Sequence, residues 1–134
     1  MLTLTEPRIK TAIPIIGLPF TSFEPYLHAR AEGLNMSWTP PLVPPSIKKY
    51  FESVNSQGLS GFEGKRILTI HGSEDKLVPY DIGKSDIGEA QRLVEDSGGV
   101  MKIQLMEGLG HVVTIDMVKM TAEWVWRYCL TART

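Results

Sequence analysis

Two residues that could share a proton-transfer reaction, Asp75 and His111, each follow a short apolar run. The run 66–70 is rich in Ile, Leu and Thr, and a polar loop containing Asp75 comes after it. The run 100–106 leads through a glycine-containing turn to His111. Short apolar runs with these boundaries predict buried strands. Because an open α/β sheet gathers its chemistry at the carboxyl ends of its strands, we expect the carboxylate and the imidazole to lie at one edge.

An aspartate followed by a histidine in this arrangement offers an acid and a base. Glu74 competes with Asp75 for the role of the acid, since the two are neighbours in the same loop. His71 stands at the end of its strand, so we expect a buried, hydrogen-bonded histidine rather than a functional one.

The motifs His71-Gly72-x-x-Asp75-x-x-Val78-Pro79 and Gly108-x-Gly110-His111 together resemble the last third of the α/β-hydrolase fold. In that family the acid follows the penultimate strand and the histidine follows the last one. The resemblance implies that Asp75 is the triad acid and that His111 is the general base that takes the proton of a serine. It also favours Asp75 over Glu74, and it implies hydrolysis of a small ester or a peptide.

The family's nucleophile motif, Gly-x-Ser-x-Gly, has no match in this chain. The segments around Ser60 and Ser85 come nearest, but both lack the final glycine, and Ser85 also follows Asp75 although the family order is serine, acid, histidine. The chain is therefore interpreted as the C-terminal part of a serine hydrolase without its nucleophile. We expect no appreciable hydrolysis by this chain alone.

Composition limits the other classes of function. The chain has 134 residues, enough for one domain at most, with 43% apolar residues and a net charge of −1, so a nucleic-acid partner is not expected. Its single cysteine, Cys129, allows no intramolecular disulfide, and no cysteine–histidine cluster predicts a metal. Gly83-Lys84-Ser85 lacks the earlier glycine of a phosphate-binding loop, and no cofactor is expected. No apolar run could span a membrane and no signal peptide is evident, so we expect a cytoplasmic protein.

The first half of the chain is less regular than the second. Residues 1–7 are interpreted as the end of a helix, and residues 8–17 as a strand that Pro14 places at an edge or interrupts. Residues 17–64 are rich in proline and resemble a cap or lid insertion, with no long element expected before Ser46. The large side chains of this segment could line a substrate pocket or simply pack the segment onto the sheet. They are Phe20, Phe23, Tyr26, Leu34, Met36, Trp38 and Leu42.

Three helices are predicted from apolar spacing. The first covers about 46–54, with Ser46 as its N-cap, and the second covers about 82–96, with Ile87, Ala90 and Val94 on its buried face. The third covers about 114–130 and begins at a Thr114 cap. Its apolar face is predicted to comprise Ile115, Val118, Ala122, Val125 and Cys129, with Trp124 and Trp126 off that face.

The order of these elements predicts an α/β fold with a parallel sheet of about three strands and flanking helices. The resemblance implies that this sheet is a partial α/β-hydrolase-like sheet, in a single segment 1–134 whose acid and histidine lie within 65–134. Two functions other than hydrolysis stay open. The chain could be a non-catalytic interaction protein that associates with itself through an exposed sheet edge. It could also be a small binding domain in which Asp75 and His111 are a chance pair.

Overall fold

The described part of the chain folds as a three-stranded parallel sheet with helices on both faces. The structure, a computed structural model, describes residues 6–37, 43–56 and 58–131, without the side chains of residues 20 and 54. The strands are β1 (Thr11–Ala12), β2 (Arg66–Gly72) and β3 (Val100–Met106). The α-helices are α1 (Phe23–Gly33), α2 (Pro45–Asn55), α3 (Tyr80–Asp96) and α4 (Ile115–Val125). Short 3-10 turns cover Phe20–Ser22 and Ser60–Phe62, and a π-helical turn, Trp126–Leu130, continues α4.

The strands lie in the order β1-β2-β3, and both neighbouring pairs are parallel. All seven residues of β2 pair with those of β3, from Arg66 opposite Val100 to Gly72 opposite Met106. The two strands therefore end level with each other, so the loops that carry Asp75 and His111 leave the sheet side by side. The α/β class and the predicted bounds of β3 are confirmed, and β2 lies where it was predicted but extends to Gly72.

Alternation along β2 divides the core into two layers. Ile67 faces α3, where it packs with Ile87, Ala90 and Val94. Leu68 and Ile70 face the opposite way and pack against α4. Since β2 is buried on both faces, its apolar residues point toward both layers, and the buried polar side chains of Thr69 and His71 bond to each other.

β1 is short because of the proline that the sequence placed in it. Only two residues form the strand, and after Pro14 the pairing resumes as a single bridge between Ile15 and Ile70. The Pro14 carbonyl still accepts a hydrogen bond from the amide of Ile70, at 3.1 Å. The prediction of an interrupted edge strand is confirmed, whereas the interpretation of residues 1–7 falls mostly on residues 1–5, outside the described part of the chain.

Two predictions in the proline-rich segment are wrong. Residues 23–33 form α1, although no long element was expected before Ser46. Pro25 is tolerated because it lies in the first turn, where a backbone N–H has no partner within the helix. The next helix, α2, was predicted, but it begins at Pro45, so Ser46 lies inside it and is not its N-cap. Proline at the first helical position supplies the backbone angle that the helix needs.

The buried face of α4 also differs from the prediction. Thr114 caps the helix as expected, accepting a hydrogen bond from the amide of Met117 at 3.3 Å. The buried positions, however, are Met117 and Trp124, not the predicted set around Val118 and Ala122. Cys129, expected in the core, is exposed.

None of the helices in the described ranges has both the length and the apolar character needed to cross a membrane.

Candidate active site

The Asp75 carboxylate is held at the carboxyl end of β2 by its own loop. Its Oδ1 accepts hydrogen bonds from the amides of Leu77 and Val78, at 2.8 and 2.9 Å. Only 1% of the Asp75 side chain is exposed, so its second oxygen, Oδ2, meets protein groups rather than solvent. This Asx-type turn positions the acid from within its own loop.

The second carboxylate oxygen meets His111. Oδ2 of Asp75 lies 2.9 Å from Nδ1 of His111, which follows the end of β3. The structure thus brings together the two residues that the sequence singled out. The imidazole is 42% exposed, in contrast to the acid beneath it.

The electrostatics of Asp75 favour its ionised form. Burial by itself raises the pKa of this carboxyl, but hydrogen bonds from the Val78 amide, from His111 and from the Leu77 amide act in the opposite direction and outweigh it, so the pKa of Asp75 is lowered. An ionised carboxylate can only accept hydrogen bonds. Nδ1 of neutral His111 must therefore carry the proton, which leaves Nε2 as an unprotonated base on the exposed ring.

The two loops are joined by several backbone contacts. The amide of Ser73 donates to the Met106 carbonyl at 3.0 Å, and the amide of Glu74 donates to the Leu109 carbonyl at 2.9 Å. In the reverse direction, the Gly108 amide donates to Oγ of Ser73 at 2.8 Å. The histidine loop therefore continues the β2–β3 pairing beyond the ends of the strands, which sets its height above Asp75.

Gly72 permits this close approach. A Cβ atom at this position would lie 2.3 Å from the Leu109 carbonyl oxygen and 2.6 Å from that of Gly110. Both of these atoms belong to the backbone and cannot rotate away as the end of a side chain would. Gly72 stands in the sequence as one member of a motif, and the structure gives it a positioning role. A glycine at the end of a strand was the signal available for that role.

His71 lies behind the pair and is only 1% exposed. Its Nε2 is 2.6 Å from Oγ1 of Thr69, and its ring packs against Tyr80 with centroids 4.9 Å apart. Burial lowers the pKa of His71, and the nearby charge of Asp75 offsets this only in part. The predicted buried, hydrogen-bonded histidine is found, although its Nδ1 is buried with no hydrogen-bond partner in the described structure.

A residue with a strained backbone, Ile16, lies near the carboxyl ends of the strands. Ile16 has a φ of +56°, which is a rare conformation for a β-branched residue. It follows the bridge residue Ile15, and its amide donates to the Ile70 carbonyl at 2.7 Å. The chain therefore bends sharply as it leaves β1, directly before the segment that resembles a cap.

The cap-like segment faces the Asp75 loop across a cleft. A cleft of about 270 Å³ separates the end of α1 from this loop and from the start of α3, and Arg30, Leu34, Lys76 and Ile82 are among its lining residues. Hydroxyls of Thr21 and Ser22 donate to Oδ2 of Asp86 on α3, at 2.5 and 2.6 Å, and fasten the segment in place.

The large side chains of this segment have different environments. Phe23 packs against Tyr26 and Phe51, with ring centroids 5.9 Å apart in both cases, which ties α1 to α2. Leu34 and Met36 are exposed, at 64% and 45%. Trp38 and Leu42 fall outside the described residues. The choice between pocket lining and packing onto the sheet therefore stays open, while Phe23 joins the two helices.

The other residues considered from the sequence lie elsewhere. Glu74 is exposed, and its backbone amide, not its carboxylate, takes part in the loop contacts. Ser60 begins a 3-10 turn before β2, so it lies toward the amino ends of the strands, far from Asp75 along β2. Ser85 is on the exposed surface of α3. Within the described ranges, no three His, Cys, Asp or Glu residues are grouped as a metal site would require.

Comparisons with known proteins give a partial likeness. No protein-family model matches the chain, and no curated protein matches it. Solved structures that are similar to part of it include SOBER1 from Arabidopsis thaliana, at 25% identity over 47% of this chain with a TM-score of 0.38. Two variants of SOBER1 match at 24% identity over 50% of this chain, each with a TM-score of 0.39. The chain spans about 30% of the length of these proteins. At such TM-scores the likeness carries no argument about function.

Proposed function

We propose that this chain is the acid- and histidine-bearing part of a serine hydrolase that cleaves ester or peptide bonds. One observation carries the proposal: Nδ1 of the exposed His111 lies 2.9 Å from Oδ2 of the buried Asp75. A carboxylate that holds a histidine in one tautomer leaves the other ring nitrogen ready to accept a proton from a hydroxyl. A chance pair has no need of such an arrangement.

In the proposed reaction, Nε2 of His111 accepts the proton of an attacking serine hydroxyl and later returns it to the leaving group. Asp75 stays ionised and stabilises the imidazolium. The serine belongs to a segment outside this chain, and the cleft between α1 and the Asp75 loop is the proposed place for part of the substrate. Without the nucleophile, the chain alone should show no appreciable hydrolysis.

Two measurements test this proposal. The transcript upstream of the Met1 codon should continue in frame into a Gly-x-Ser-x-Gly segment, whereas a stop codon directly upstream would remove the proposed source of the serine. A fluorophosphonate probe should leave this chain unlabelled, and stoichiometric labelling of one of its serines would contradict the proposed division of the active site.

The histidine tautomer can be measured on the chain itself. Nitrogen-15 spectra at neutral pH should show His111 protonated at Nδ1, and Asp75→Asn should shift the proton to Nε2, because an amide can turn an NH₂ donor toward Nδ1. His71 provides an internal reference, since its ring lies outside the pair. An unchanged His111 tautomer in the variant would contradict the role assigned to Asp75.

A second candidate function, non-catalytic association, is favoured by a separate observation. Apolar side chains on the outer side of α4 are exposed, among them Ile115 at 75% and Trp126 at 64%. A surface of this kind is typical of an interaction site.

A further inference from the structure

The helix α4 and the residue that follows it carry a second apolar face, separate from the one that packs on the sheet. Its members recur at spacings of three, four and four residues, so they lie in one row along the helix. We call this row the α4 stripe; it consists of Ile115, Val118, Ala122 and Trp126. The three large members are 75%, 56% and 64% exposed, in chain order, and Ala122 is exposed too. The row that packs on the sheet, with Met117 and Trp124, lies on another side of the same helix.

Charged residues border the α4 stripe on one flank, and their signs alternate. Along the chain they are Asp116, Lys119, Glu123 and Arg127. All four are exposed. Asp116 and Lys119 form a salt bridge of 3.3 Å within the helix, but their side chains are 73% and 68% exposed and remain open to other partners. The series is negative at its first residue and positive at its last. If a second copy of the helix lies antiparallel to the first, each charge therefore meets one of opposite sign.

We infer that the α4 stripe is a self-association surface, on which a second copy of this chain packs its own α4 in antiparallel orientation. A two-fold axis near residue 121 places Asp116 opposite Arg127 of the second copy, and Lys119 opposite its Glu123. The same axis places Ile115 opposite Trp126 and Val118 opposite Ala122. One register therefore satisfies both the charged flank and the apolar row, as a symmetric interface requires.

Ala122 suits the centre of this contact. Helices pack with their axes about 8 to 10 Å apart, and a small residue at the crossing permits the shorter distance. The stripe is about 18 Å long at the rise of an α-helix. Contacts of this size are at the small end for protein interfaces, so we expect a dimer that forms in the micromolar range and dissociates on dilution. This inference does not depend on the proposed hydrolase chemistry.

Sedimentation of the whole chain from about 1 to 500 μM tests the surface, since this range brackets a micromolar dissociation constant. We expect a monomer–dimer equilibrium. Lys119→Glu should weaken the dimer about tenfold, because it places like charges opposite each other in both halves of the contact. The double variant Lys119→Glu/Glu123→Lys should restore it, since each reversed residue then meets its reversed partner. The swap keeps an attractive pair four residues apart within the helix, and the Asp116–Lys119 salt bridge that it removes is an exposed contact of small energy.

Cross-linking tests the orientation. With Cys129→Ser as background, Ala122→Cys should form a disulfide-linked dimer under mild oxidation, because each Ala122 lies one residue from the axis and the two copies are offset by only about 3 Å along the helix direction, within reach of a disulfide. In the unaltered chain, the two copies of Cys129 lie about 24 Å apart along the helix direction and should not link. A chain that stays monomeric, a dimer indifferent to both charge variants, or a Cys129-linked dimer would each overturn the inference.

Discussion

The substitution Gly72→Ala tests whether close loop packing sets the Asp75–His111 pair. The added Cβ would stand 2.3 Å from the Leu109 carbonyl oxygen, whereas ordinary contact begins at 3.4 Å. The histidine loop must therefore move by about 1 Å or the end of β2 must bend. Overpacking of this kind costs about 1–3 kcal/mol of unfolding free energy. The hydrogen bond from the Glu74 amide to Leu109, at 2.9 Å, lies directly in the path of the movement.

Urea unfolding measures the cost. A loss of about 2 kcal/mol shifts the midpoint by roughly 1 M urea, at a slope typical of a small protein. Gly88→Ala is the matched control, because it adds the same methyl group at an exposed position of α3 with no atom within 4 Å. That change should stabilise the chain by about 0.5–1 kcal/mol, since alanine is a better helix former than glycine.

The same variant reports on the site. A loop displaced by about 1 Å would lengthen the 2.9 Å contact beyond hydrogen-bond range, so the downfield proton signal of the His111 Nδ1–H should be lost or shifted in Gly72→Ala and kept in Gly88→Ala. If Gly72→Ala instead unfolds at the wild-type midpoint and keeps this signal, the close backbone approach does not position the pair.

Three further substitutions give distinct stability signatures in urea unfolding. The pKa of Asp75 is lowered from its ordinary value of 3.8, so the stability that this carboxylate contributes is complete above pH 3.8 and is lost as the pH falls through the lowered pKa. The difference in unfolding free energy between wild type and Asp75→Asn should therefore be level above about pH 5 and shrink below about pH 4. The pKa of His71 is also lowered, so the stability of the wild type should decrease as the pH falls below about 6.5. His71→Gln should flatten this dependence of stability on pH. An equal dependence in both proteins would contradict the buried, neutral state assigned to His71. Asp86→Ala leaves the buried Ser22 hydroxyl without its acceptor and should lower the unfolding free energy by about 1–3 kcal/mol. Asp86→Asn keeps an acceptor and should lower it less. Equal losses in the two variants would refute the role of Asp86 in anchoring the segment that carries Ser22.

The strands and the candidate pair could be predicted because their signals are local. β2 and β3 are short apolar runs with clear ends, and each delivers its polar residue within a few positions of its last pairing. Burial of Ile87, Ala90 and Val94 on α3 also follows from spacing alone, because that helix has a single apolar face. The preference for Asp75 over Glu74 came from the resemblance to the hydrolase motif, and the Asx turn that holds Asp75 within its own loop is consistent with that preference.

Helix α1 was missed for an equally local reason. A count of prolines treats each one as a helix breaker, yet its effect depends on its position within the turn. Pro25 stands in the first turn of α1, and Pro45 is the first residue of α2. Both prolines therefore lie where helices accept them, and the positions, not the number, should have guided the prediction.

The spacing of apolar residues could not predict which face of α4 packs on the sheet, because two of its faces are apolar at the same helical period. One contains Val118 and Ala122, and the other contains Met117 and Trp124. Periodicity cannot rank two such faces; the choice depends on which one fits the surface formed by Leu68 and Ile70, and that surface is assembled from a distant part of the chain. The sheet takes the face with the larger side chains. The other face remains exposed beside its row of alternating charges. This second apolar face is the reason that the prediction was wrong, and it is also the feature that supports self-association.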